Sequence, residues 1–359
     1  GIPSRTLKDH YKGVTETEDP LMNYHMASGR DTVLTPAIEN EILEYCDIMS
    51  KRGFPLDTQQ LRQIAIDVAL DNDIKDFSAS IGWLQKFKRR HQEFFSFIKP
   101  QSLERVRVGA SNPEVIQEYF ALLADTYRDV RERNGGVLEA CHIINTDEVG
   151  WDMVTLGQAD VINFKYSKSQ CRAQTTSDRT HLTNTVFVAA DGHLYDSFFC
   201  MKGSPDTCDR SKLAGVSIGV GCVNTENAYQ TNESWVEAVK HFVLQKRNPD
   251  MWEVVILDGY GPHNMSHKAL KLFKENKFEV ICMPSHTSHL LQVLDVSCFR
   301  STKNILRFDM RELTRVVGPN SITKYHCPMI FERAVKESCS EENIKAGFEA
   351  VGAWPLNLD

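Results

Sequence analysis

Three aspartates stand where their neighbours could turn them to chemistry. Asp147 closes the apolar run His142-Ile143-Ile144-Asn145-Thr146 and is followed by Glu148. Asp258 closes the run from Trp252 to Leu257, and Asp295 lies inside the apolar, helix-like stretch from Leu290 to Val296. If the first two runs are neighbouring strands, their carboxyl ends bring Asp147 and Asp258 together, where open α/β sheets place their sites. Three gathered carboxylates repel one another unless a cation neutralises them. Oxygen-only donors suit Mg²⁺ or Mn²⁺. Two such ions would activate an attacking water or hydroxyl and stabilise the leaving oxygen in phosphodiester chemistry. Read singly, Asp258-Gly259 is also a turn signal, and Asp147 also a strand-end hydrogen-bond acceptor. Asp295, a half-buried acid on an apolar stripe, needs a partner.

The elements that must carry these acids begin after Gly136. Strand-like runs appear at 138–146, 182–189, 194–201, 252–257 and 278–283, with Asp191-Gly192 as a hairpin turn between the second and third. Helical patterns cover 232–246, 265–276 and 290–312. A hairpin-led sheet that continues through crossover helices is a mixed α/β sheet, and this element order is that of a ribonuclease H-like fold. A long helix starting at Asn112-Pro113 precedes it.

Upstream, three short helices are expected. Thr35-Pro36 opens the first, with Ile38, Ile42, Leu43 and Cys46 as its apolar stripe and Gly53 as its stop. Thr58 caps the second, which carries Leu61, Ile64, Ala65 and Val68. The third begins near Ser80 and turns Ile81, Trp83, Leu84 and Phe87 to a core, leaving Lys86, Arg89 and Arg90 opposite. Three short helices ending in a basic one make a helix-turn-helix module. Lys86, Lys88, Arg89, Arg90, Arg105 and Arg107 form a basic segment after an acid-rich stretch, and its expected partner is double-stranded DNA. Arg5 and Lys8 lie in a further basic fragment, residues 1–13.

The chain has 359 residues, 42% hydrophobic and 25% charged, which suits two or three globular domains and excludes a disordered or fibrous chain. No apolar run approaches the roughly 18–20 residues needed to cross a bilayer, so no membrane partner is expected. The ten cysteines are scattered without a C-x-x-C pair, and several, such as Cys141 and Cys282, sit in apolar runs. That is the usage of reduced core thiols in an intracellular protein. The net charge of −7 argues against a uniformly basic surface. Because the chain starts at Gly1, it is expected to be a fragment.

His263, His267, His286 and His289 cluster in sequence around the acids. Zinc is the weaker reading: Pro262 makes His263 a helix-start residue, and no cysteine pair completes a structural site. These histidines are expected to meet DNA phosphates or to hold loops, and Lys303, two helical turns after Asp295, to reach a phosphate.

The words around the acids resemble the pogo/Tigger/jerky group of DDE transposases. Asn145-Thr146-Asp147-Glu148-Val149-Gly150 resembles that family's first block, Leu257 to His263 its second, and Pro284 to Val296 its third. Lys51 to Leu56 and Gly82 to Phe87 resemble a centromere protein B-type helix-turn-helix. Gly1 to Leu7 resembles the tail of a pipsqueak-type one, and Gly352 to Asn357 the family's closing segment. The resemblance implies an all-α DNA-binding domain followed by a ribonuclease H-like catalytic domain. The expected layout is a remnant at 1–13, a linker at 14–33, the helix-turn-helix at 34–97, a linker at 98–112, and the catalytic domain with C-terminal helices at 113–359. It further implies Asp147, Asp258 and Asp295 as catalytic metal ligands for Mg²⁺ or Mn²⁺, with Asn145, Glu148, His263, His286 and His289 near the site. The activity implied is that of a nuclear endonuclease and strand transferase needing no small-molecule cofactor; a homo-oligomer is left open. The alternative is a domesticated, catalytically silent chromatin or centromere protein.

Overall fold

The computed structural model describes residues 33–51, 56–92, 94, 113–152, 181–205, 208, 210–213, 215–258, 266–284, 287–317 and 322–357. Residues 1–13 with Arg5 and Lys8, the linker at 98–112 with Arg105 and Arg107, and His263 and His286 lie outside the described residues, as does nearly all of the linker at 14–33. The chain falls into two compact units, one from residues up to Glu44 and Gln59–Phe94, the other from Tyr45–Thr58 and from Phe95 onward.

Apart from Tyr45–Thr58, the helical unit is made of α1 (Pro36–Lys51), α2 (Thr58–Asp71) and α3 (Ile81–Arg90). Thr35 Oγ1 accepts from Ile38 N at 3.4 Å, and Ser80 Oγ from Trp83 N at 3.2 Å, so α1 and α3 both start on a capped first turn. Thr58 is the first helical residue rather than the cap. Leu61, Ile64, Ala65 and Val68 are buried as their spacing requires, together with Leu84 and Phe87 of α3. Trp83 is only half-buried, edge-on to Phe77 at 5.1 Å and stacked on Phe87 at 4.9 Å. Ile81, expected in the core, is 64% exposed because it starts the helix and points off the buried stripe.

The second unit is built on a six-stranded sheet in the order β4-β3-β2-β1-β5-β6. The strands are β1 (Ile143–Asp152), β2 (His181–Ala189), β3 (Phe198–Lys202), β4 (Gly221–Thr225), β5 (Glu253–Asp258) and β6 (Phe278–Met283). β1–β2 and β2–β3 pair antiparallel, whereas β1–β5 and β5–β6 pair parallel, which is the mixed, ribonuclease H-like arrangement. β4, parallel to β3 at the sheet edge, was not legible: Gly-Cys-Val-Asn-Thr is too polar and too short to stand out. β3 begins at Phe198 rather than 194, leaving Leu194 as an isolated bridge to Val188 beyond the turn where Gly192 takes φ +94°.

Alternation along the strands sorts the core into two layers. Ile143, Val149, Val254, Ile256 and Ile281 face α4 (Pro113–Arg133) and the C-terminal helices, in one apolar cluster with Leu123, Val130, Phe331 and Phe348. On the other side lie α5 (Asn232–Val243) and α6 (His267–Glu275), where Phe187 stacks on Phe242 at 4.1 Å. The C-terminal helices are α7 (Ser288–Leu291), α8 (Val293–Ser297), α9 (Phe299–Val317), α10 (Cys327–Ser338) and α11 (Glu341–Ala350). The single helix expected over 290–312 is thus three, broken at Gln292 and Cys298. Cys282 is buried as expected, but Cys141 is half-buried in a short 3-10 turn before β1.

Candidate active site

β1 does not end at Asp147. It continues to Asp152, and Asp147 faces Val186 of β2 within the antiparallel ladder. The early stop expected at Thr146 rested on the loss of apolar residues, but β2 supplies partners for the polar extension. On its other side β1 pairs with β5 only through Ile143–Val254, Ile144–Val255 and Asn145–Ile256. Continued two residues, that parallel register sets Asp147 opposite Asp258, at the carboxyl end of β5 where the pairing has stopped. Both share the sheet face of Ile143 and Val254, the face covered by α4 and the C-terminal helices. Glu148, one residue on, belongs to the opposite face.

Asp295 arrives from the third block by docking rather than by a continuous helix. Gln292, fully buried, donates from Nε2 to Thr146 O of β1 at 3.2 Å, and its extended backbone separates α7 from α8. Ser288 Oγ donates to Asp258 Oδ2 at 2.7 Å. Behind α8, Gly347 of α11 comes so close that a Cβ there would meet Ser297 Oγ at 2.5 Å and Val293 Cγ1 at 3.0 Å. Val293 and Leu294 are buried, but Asp295 itself is exposed, not half-buried as the apolar stripe suggested. A five-residue helix turns its third residue outward while its first two fill the core.

The acids feel one another. Asp147 is raised well above the usual carboxylate range by burial and by the charges of Glu148, Asp295 and Asp258, against a hydrogen bond from Glu148 N to its Oδ1 at 2.8 Å. Burial and the Asp258 charge push Glu148 up to about 7. Asp295, although an exposed residue, has a carboxyl desolvated enough to be raised; Lys303 pulls it down and Asp258 pushes it up. Among the described residues, however, no three His, Cys, Asp or Glu side chains are gathered tightly enough to hold one ion. The three acids are electrostatic neighbours rather than a closed ligand set. Oxygen-only donors of one sign, with Lys303 as the cation acting on Asp295, are a donor set that fits a hard divalent cation.

Asn145 is near the site but structural in its contacts: fully buried, it donates from Nδ2 to Ile256 O at 3.3 Å and braces β1 against β5. His289 is exposed at the start of α7, and His267 is buried at the start of α6. Sequence reasoning missed Ser288 and Gln292 as positioning residues, although both stand inside the third block, seven and three residues before Asp295.

In the helical unit, Lys86 and Arg89 are exposed and Lys88 and Arg90 half-buried. Arg90 corrects the expectation of an outward DNA contact. Its Nε donates to Glu39 Oε2 at 3.0 Å, its Nη2 to Glu39 Oε1, and His91 Nε2 joins Glu39 Oε2 at 2.8 Å. Glu39, only 4% exposed on α1, draws the end of the basic helix inward.

Residues 35–97 match the family described as the Tc5 transposase DNA-binding domain, and residues 224–337 match the DDE superfamily endonuclease. The second match contains Asp258 and Asp295 and starts after Asp147. A stretch of 139 residues is 34% identical to part of an MFS-type transporter, clz9, of Cochliobolus lunatus, covering 38% of this chain and 15% of that protein. No helix among the described residues is long and apolar enough to cross a membrane. Similar solved structures include the Mos1 mariner paired end complex with Mn, with 11% identity, 97% of this chain and 86% of that one covered, and a TM-score of 0.38. The Mos1 strand transfer complex is 10% identical at a TM-score of 0.38, over 97% of this chain and 81% of that one. The resemblance to DDE transposases read from the sequence is borne out: the chain carries, in order, a Tc5 transposase-type DNA-binding domain and a DDE superfamily endonuclease domain.

Proposed function

We propose that the protein is a DNA endonuclease and strand transferase of the transposase type, with Asp147, Asp258 and Asp295 as its catalytic carboxylates. The observation that carries this is the docking of the third block across β1 at Thr146 and the carboxyl end of β5 at Asp258, through Gln292–Thr146 and Ser288–Asp258. Three separated segments thereby deliver acids to one electrostatic neighbourhood. Bound Mg²⁺ or Mn²⁺ would supply Lewis acidity at a phosphoryl oxygen and a lowered pKa for the attacking water.

The chain's own residues would set the stage for in-line displacement. Asp147 and Asp258 offer oxygens from one sheet face, the Ser288 hydroxyl fixes the rotation of the Asp258 carboxylate, and Lys303 offsets the charge of Asp295. Water attacks the phosphorus and gives up a proton, the new P–O bond forms as the P–O3′ bond breaks, and the departing 3′-oxygen takes up a proton to become a free 3′-hydroxyl. That hydroxyl, losing its proton, then attacks a phosphorus of the target strand, and the target's own P–O3′ bond breaks as the new P–O bond forms, its 3′-oxygen taking up a proton. Lys86, Lys88 and Arg89 on α3 would add salt-dependent backbone affinity. On this reading the protein works on nuclear double-stranded DNA, with a second copy serving a second DNA end.

The test is a nicking assay on supercoiled plasmid with Mg²⁺ or Mn²⁺. The unaltered protein should nick; Asp258→Asn should not, while shifting a duplex as before. Equal nicking by both proteins would remove the triad assignment.

A further inference from the structure

We propose that the solvent face of α9 is a backbone track that holds the reacting DNA strand beside the carboxylates. The proposal rests on the endonuclease reading for what the strand does there, but the surface has its own evidence. Arg300, Lys303, Arg307 and Arg311 follow one another at spacings of three, four and four, which places them on one helical stripe. Arg300, Arg307 and Arg311 are exposed and Lys303 is half-buried. The stripe starts at Asp295: a cavity of about 530 Å³ is lined by Asp295, Phe299, Arg300, Lys303, Asn304 and Arg307. An acid at the head of a concave row of cations is the layout that a polyanion reacting at that acid would require.

The helix's own acids do not cancel the row. Asp309, 8% exposed, is bound by Arg333, and Glu312 is paired with Arg315 at 2.8 Å. Arg300 and Arg311 have no ion-pair partner among the described residues. Arg307 is held in place, donating to Asn304 Oδ1 at 2.9 Å with its guanidinium 6.0 Å from the centre of the Trp151 ring. Trp151 lies on β1 on the same face as Asp147, so the track is anchored to the strand that carries the first acid. From Arg300 to Arg311 the helix rises roughly 16 Å, comparable to about five axial steps of a DNA strand. Exposed Arg and Lys heads aimed at phosphates position a strand without reading its sequence.

The test uses the full chain with Arg300→Gln, Arg307→Gln and Arg311→Gln combined, glutamine being a good helix former at exposed sites. Binding to a short duplex of arbitrary sequence is measured against salt with Ca²⁺ present. A control removes three cations already paired with acids of their own helices: Arg128→Gln, Lys240→Gln and Lys345→Gln. The α9 variant should lower the slope of log K against log salt by about 3, at roughly 0.9 per phosphate contact, with the control unchanged. In nicking, KM should rise more than kcat falls. Equal slopes for the α9 variant and the control would overturn the proposal. A reduced slope in a protein that never nicks would support the track and count against the endonuclease reading, so the two failures are distinguishable.

Discussion

The molecule buries carboxylates in two opposite ways. In the helical unit, Glu39 is surrounded by cations: burial alone would raise it, but hydrogen bonds from His91 and Arg90, and their charges, hold it below its ordinary value. In the sheet unit, burial and then neighbouring acids raise Asp147, Glu148 and Asp295, although Lys303 pulls Asp295 back down. Glu39 has found its partners inside the chain and spends its charge on holding α1 to α3. Asp147 and Glu148, side by side on β1, are a place where a bound cation would relieve the repulsion. The same side-chain chemistry is structural where the fold supplies the counter-charge and functional where the fold withholds it.

The largest expected effect tests the withheld side. Asp147→Asn should lower nicking by roughly 10³-fold or more, equivalent to about 4 kcal/mol of transition-state stabilisation. The same change relieves like-charge repulsion, so in chelator the protein should gain about 1 kcal/mol, a Tm rise of about 2–4 °C for a domain of this size. Loss of both activity and stability would assign Asp147 to the scaffold and break the contrast. On the supplied side, Glu39→Gln should cost about 2 kcal/mol, discounted from a fully buried pair because Arg90 stays a quarter exposed. Hydrogen exchange of the α1 and α3 amides measures it, and unaltered protection would mean that Glu39 holds nothing.

Much of this contrast was legible and some was not, for physical reasons. The buried stripe of α2, the neighbouring of β1 and β5, and Asp258 at the end of β5 follow from periodicity and from where apolar runs stop, whereas Asp147 lies inside β1 because β2 pairs with the polar continuation. The Arg90–Glu39 pair was hidden because 51 residues separate its partners and a basic helix face looks the same whether it meets solvent or an acid. Asp295 was placed on a buried stripe because a helix was carried through Gln292. A buried glutamine that bonds another strand's carbonyl breaks a helix without any Pro or Gly to announce it. β4 failed because edge strands need little apolar content.

pH separates the two groups by sign. Glu39 has a lowered pKa, so its contribution is present above the unfolded value of 4.5 and is lost as pH falls through the folded value. Glu148 is raised to about 7, so the folded state's advantage is full below 4.5 and is lost as pH rises towards 7. Hydrogen exchange in chelator, corrected for intrinsic rates, should show β1 protection falling between pH 4.5 and 7 while α1 and α3 hold theirs. Parallel trends in both units would refute the opposed environments.

The smallest effect sharpens the comparison most, because it sets two serines of similar energy against each other. Ser80 Oγ accepts from Trp83 N at the start of α3, and Ser288 Oγ donates to Asp258 Oδ2 at the start of α7. Ser80→Ala removes a cap and should cost about 1 kcal/mol of helical-unit stability with kcat unchanged. Ser288→Ala removes a hydrogen bond to the Asp258 carboxyl, which is worth about 1–1.5 kcal/mol. Because that bond orients a carboxylate, its loss should appear as a fall of roughly 5–10-fold in kcat with KM and Tm nearly fixed. Ser288→Thr, which keeps the hydroxyl, should restore the rate. If Ser288→Ala instead lowers Tm and spares kcat, the third block is docked for stability, and the positioning role falls to Gln292.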